Sequence, residues 1–147
     1  MKKSINAVYF CLPAVIYISC SALAFLLWNL FNQGRTPVIA TSIILCIAGS
    51  LLSGFFSIGK YGKRGMYAAI GITVAAVVLW IITYTLDFMP AAYVAAALSS
   101  YFFNILSCMP YSTPEYAIYI GYAAALIIPP CLILSGRFIR IKAHKWR

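Results

Sequence analysis

Apolar runs alternate with short polar breaks along the whole chain. Residues 7–31 (AVYFCLPAVIYISCSALAFLLWNLF) carry no charge, and neither do residues 38–58 (VIATSIILCIAGSLLSGFFSI) or 66–86 (MYAAIGITVAAVVLWIITYTL). Residues 116–136 (YAIYIGYAAALIIPPCLILSG) repeat the pattern. About 20 apolar residues, rising about 1.5 Å each, cross a hydrocarbon core of roughly 30 Å, so each run predicts a transmembrane helix. The breaks carry turn chemistry. Asn32-Gln33-Gly34-Arg35-Thr36-Pro37 follows the first run, and a basic, glycine-rich connector, Gly59-Lys60-Tyr61-Gly62-Lys63-Arg64-Gly65, follows the second.

A fifth stretch, residues 90–107 (PAAYVAAALSSYFFNILS), is apolar and helix-prone, with Pro90 suited to a first helical turn. Two prolines, Pro110 and Pro114, break the chain after it. It is too apolar for a bare loop in water. Tyr93, Ala97, Tyr101 and Phe103 share no single helical face, which favours a re-entrant helix packed on protein over one lying flat at the interface.

Charge decides whether that stretch crosses. With four spans, ten basic residues share one side: Lys2, Lys3, Lys60, Lys63, Arg64, Arg137, Arg140, Lys142, Lys145 and Arg147. Only Arg35 lies opposite. If 90–107 crossed, the five basic residues of the tail would join Arg35, leaving five against six. Lys and Arg are retained on the cytoplasmic side, so the ten-to-one division is the expected one. The predicted fold is an all-α, single-domain bundle of four transmembrane helices with an extra external re-entrant or interfacial helix at about 90–107. Both termini are expected in the cytoplasm, with residues 137–147 as a basic tail. Lys2, Lys3 and Ala22-Leu23-Ala24 have the look of a cleaved signal, but the apolar run continues to Phe31, so an uncleaved first helix is expected. Cys20 is a poor lipoprotein cysteine, because Tyr17 stands where a small aliphatic residue belongs.

Composition agrees: 64% of the 147 residues are hydrophobic and 9% charged. Soluble domains carry about 45–50% and about 25%. The net charge of +9 is accounted for by topology, and nucleic acid is not an expected partner. The lipid bilayer is. Tyr84, Phe88, Tyr111, Tyr116 and Tyr119 predict one interfacial aromatic belt; Phe56, Tyr61, Tyr67, Phe138 and Trp146 predict the other.

Candidate chemistry is sparse. Asp87 and Glu115 are the only acids, and His144 stands alone in the basic tail. Cys11, Cys20, Cys46, Cys108 and Cys131 form no CxxC or Cys/His ligand pattern, so no metal or other cofactor is expected. No acid–base pair or activated nucleophile is available, and the expectation is a protein that is not an enzyme. An enzyme acting on lipid would have to rest on Asp87, Glu115 or Cys108. The spans as drawn hold no Asp, Glu, His, Lys or Arg, which argues against an ion-coupled carrier.

What remains is packing. Small residues recur four apart at Gly49/Ser53, Ser50/Gly54, Gly71/Ala75, Ala92/Ala96 and Gly121/Ala125, a spacing that lets helices approach closely in lipid. Gly49, Ser53, Gly54, Gly71 and Gly121 are therefore candidate helix-packing positions. Pro13, Pro129 and Pro130 are candidate kinks. Asn29, Thr41, Thr73, Thr83 and Asn104 are expected to fasten helices by hydrogen bonds of roughly 0.6 kcal/mol each. Ala92, Ala96, Tyr101, Phe102 and Phe103 in the external stretch form a candidate interaction surface. The sequence favours an interaction protein of the inner or plasma membrane: an accessory subunit, or an immunity or exclusion protein. Its partner would be another membrane protein or a second copy. A small oligomeric transporter or channel component is the alternative.

Overall fold

In a computed structural model that describes residues 2–31, 36–86, 89–98 and 116–145, the apolar runs are helical over most of their described length. The helices are α1 (Lys2–Leu30), α2 (Thr36–Phe55), α3 (Gly59–Leu86), α4 (Met89–Leu98) and α5 (Tyr116–Lys145), and no strand occurs among the described residues. Four of them contain stretches of 25, 19, 25 and 26 residues long and apolar enough to cross a membrane. The chain has the architecture of a multi-pass membrane protein.

Three helices outrun the apolar runs that announced them, α1 by starting at Lys2. α3 begins at Gly59, so the basic segment expected as a connector forms its first two turns. Gly59 takes a left-handed φ of 61°, and the Gly62 amide donates to the Ile58 carbonyl at 2.9 Å to close the first turn. The real connection is residues 56–58, where the Ser57 hydroxyl donates to the Gly54 carbonyl at 2.6 Å. At the other end, α5 continues to Lys145 through most of the expected tail. Lys and Arg are good helix formers, so nothing local stops it.

The helices stand at the corners of a square in the order α1, α2, α5, α3. Each touches its neighbours on the perimeter, whereas α2 and α3 barely meet across the diagonal. The Ser42 hydroxyl donates to the Ala24 carbonyl at 3.2 Å, and Gly49 lies against Cys20, so α1 and α2 are antiparallel. Gly65 lies against Phe10, making α1 and α3 parallel; Gly136 lies against Leu51, making α2 and α5 parallel. α4 packs on α3 and α1.

The core is made mostly of small side chains. Ala24, Ser42, Ser50, Ser53, Ala69, Thr73, Ala76 and Ala125 are fully buried, with Tyr17, Met66 and Ile133 filling the gaps between them. Large apolar residues point outward instead, up to 73% exposed at Leu30 and 72% at Leu86. Lipid chains are as apolar as leucine, so helix association in a bilayer comes from close contact of backbones rather than from hiding grease. This sequence follows that rule.

Hydrogen bonding departs from expectation. Asn29 donates to the Phe25 carbonyl at 2.9 Å, Thr41 to Pro37 at 2.8 Å, Thr73 to Ala69 at 3.2 Å and Thr83 to Leu79 at 2.8 Å. All four bond back four residues within their own helix rather than across to a neighbour. The preceding-turn carbonyl is always within reach, whereas a cross-helix partner requires matched register. Asn104 lies outside the described residues. α1 and α5 run through Pro13 and through Pro129 and Pro130, and Pro13 and Pro129 are fully buried.

Candidate functional site

The small-residue positions divide into two kinds. At Gly54 a Cβ would strike the Ile133 carbonyl and lie 2.9 Å from the Arg137 amide nitrogen; at Gly136 it would strike the Leu51 carbonyl. Gly65 meets the Phe10 carbonyl in the same way, whereas Gly49 lies against the Cys20 side chain. Gly54, Gly65 and Gly136 lie where helices touch backbone to backbone, and Gly49 where α2 closes on a side chain of α1. Gly121 and Ser53 are buried as well, the Ser53 hydroxyl without a hydrogen-bond partner among the described residues.

Gly71 is of the other kind. It is exposed, and among the described residues a Cβ there would meet no atom beyond its own helical turn within 4 Å. The expectation that Gly71 packs the bundle is therefore corrected: α3 turns Ala69, Thr73, Ala76 and Val77 inward, and Gly71 falls on its outer side. Ala75 is exposed with it, between Tyr67, Val74 and Val78. The result is a shallow outward strip, one small residue per turn, walled by aromatic and branched side chains.

In the expected interaction surface, Tyr101, Phe102 and Phe103 lie outside the described residues, as does the side chain of Ala92. Ala96 is fully buried together with Ala95 in the chain's own core, leaving Tyr93 and Val94 as exposed residues of α4. Ala96 thus helps to seat α4 on the bundle. It does not present a free contact.

Basic side chains gather at one end, where α1 and α3 begin and α2 and α5 finish. Arg140 donates from Nη1 to the Phe55 carbonyl at 2.7 Å, capping the negative end of α2, and its guanidinium lies 5.6 Å from the Phe55 ring centroid. Lys142 sits over Phe138 at 5.1 Å and Lys63 over Tyr67 at 6.0 Å. The Phe55 and Phe56 rings meet edge to face at 5.7 Å. Half-buried Arg137 keeps Nη1 shielded and without a hydrogen-bond partner among the described residues. His144 lies beside Arg140 on the rim of a small cleft.

Among the described residues no three His, Cys, Asp or Glu side chains come together as a metal site. Cys11, Cys20, Cys46 and Cys131 form no disulfide with one another, while Cys108, Asp87 and Glu115 fall outside the described residues. No protein-family model matches the chain, and neither a curated protein nor a solved structure resembles it detectably.

Proposed function

We propose that this chain works as an interaction protein of the cell membrane, docking another membrane protein through the outer face of α3. It would serve as an accessory subunit of a larger complex, or as an immunity or exclusion protein that occludes one. The observation that carries this reading is Gly71. A glycine inside a helix costs about 1 kcal/mol relative to alanine. At Gly49, Gly54, Gly65 and Gly136 that cost is offset by close contact within the chain. At Gly71 nothing among the described residues offsets it, whereas a partner helix crossing at Gly71 and Ala75 would do so through the same backbone approach.

The ten-to-one division of basic residues supports placing the N-terminus, the α2–α3 turn and the C-terminus in the cytoplasm. Reporters fused after Lys63 and after Arg147 are expected to read cytoplasm, and one near Pro114 the opposite side. A tail reporter on the far side would mean that 90–107 crosses, and the four-span topology would fall.

Extraction in mild detergent tests the functional reading. A foreign membrane protein copurifying at fixed stoichiometry is the expected result. A homo-oligomer that conducts ions in planar bilayers, with no foreign subunit, would replace docking by transport.

A further inference from the structure

A second surface points to a ligand of a different kind. We propose that the cleft between α1 and α3 at the basic end seats the phosphate of an anionic phospholipid. The cleft encloses about 370 Å³ and is lined by Asn6, Ala7 and Phe10 from α1 and by Tyr61 and Arg64 from α3. It exists because the two helices are pinned together at Gly65, against the Phe10 carbonyl and 3.2 Å from Pro13 Cδ, and open one turn before that contact.

Its chemistry is that of an amphiphile's head and neck. Arg64, Tyr61 and Asn6 supply a guanidinium, a phenol and an amide, all able to donate to phosphate oxygens. Ala7 and the outward-facing Phe10, 42% exposed, form an apolar floor on the side where an acyl chain would run. Arg64 makes no ion pair among the described residues. Lys60, four residues before Arg64, adds a second cation on the same side of α3, and α1 begins at Lys2 and Lys3 in the turn before Asn6. A zwitterionic lipid would bring its own cation against these charges. The companion cleft at Phe55, Ala143 and His144 differs, because its Arg140 is already committed to the Phe55 carbonyl and ring. Basic pockets between transmembrane helices on the cytoplasmic side suit anionic headgroups, at about fivefold in affinity per cation.

Native mass spectrometry of the full chain tests this, after extraction into detergent with equal phosphatidylglycerol and phosphatidylcholine. The wild-type chain is expected to retain one phosphatidylglycerol in preference to phosphatidylcholine. Arg64→Gln should lower that retention about fivefold, and Asn6→Leu, on the other helix, should lower it independently. Lys142→Gln, at another corner of the basic end, should leave it unchanged. Millimolar inorganic phosphate should not displace the lipid. Equal retention of both lipids would overturn the proposal, as would a loss with Lys142→Gln matching that with Arg64→Gln. Displacement by inorganic phosphate would assign the cleft to a free anion instead.

Discussion

Gly54→Leu is expected to abolish the folded bundle, and even Gly54→Ala to weaken it severely. The first added carbon would fall on the Ile133 carbonyl, beside the Arg137 amide nitrogen. Both are backbone atoms held in a helix, so no rotamer change relieves the clash and α2 must move away from α5. That movement undoes the neighbouring contact of Gly136 with Leu51 and pulls the Phe55 carbonyl from Arg140. Overfilling a packed core typically costs about 1–3 kcal/mol. A backbone collision at the tightest seam should cost at least the upper figure, about 3 kcal/mol, of a total stability of about 5–15 kcal/mol. Membrane abundance and thermal unfolding in detergent measure it. Gly136→Ala should show a similar loss, and the double variant less than the sum, since the two share one interface. Wild-type stability in Gly54→Ala would mean that α2 and α5 do not meet there.

Gly71→Leu is expected to behave in the opposite way: normal abundance, an unchanged melting temperature, and complete loss of partner capture and phenotype. A side chain at this position enters open space, so the fold has no reason to object. Replacing a helical glycine should even favour the helix by a fraction of a kcal/mol. Only a partner seated on the strip would sense the change. A leucine there holds two backbones apart, and close backbone approach is the main source of helix affinity in lipid. Ala75→Leu, one turn on, should reproduce the loss. A fully active Gly71→Leu at normal abundance would remove the strip from the account.

These two glycines also mark how far the sequence could be read. Gly54 and Gly71 sit in the same small-xxx-small pattern, and spacing alone cannot tell an inner face from an outer one. In a soluble helix, polar residues would mark the outside; here Val74 and Val78 face outward as apolar as Val77 facing inward. The four spans were legible because a bilayer demands long uncharged runs. Their ends were less so. Lys60, Lys63 and Arg64 end the apolar pattern, yet they continue the helix, since the change in composition marks where charge begins rather than where hydrogen bonding stops. Gly65 and Gly136 lie beside basic residues at the edges of apolar runs, where the pattern gives little sign of helix packing, although Gly65 stands four before Ala69. Ala96 was legible as small but not as buried, because that depends on how α4 folds back onto α1 and α3. The α1–α3 cleft joins residues more than fifty positions apart, and only the parallel pairing of those helices brings Asn6 near Arg64.

Site-specific photo-cross-linking in intact cells puts the docking face to the most direct test. A photoreactive residue would replace Val74, on the outer face of α3, or Ile127, equally apolar and exposed on α5. Docking on this face predicts one discrete adduct with a membrane protein from position 74, lost in the Gly71→Leu background, and none from position 127. No adduct from 74, or the same adduct in equal yield from 127, would contradict it.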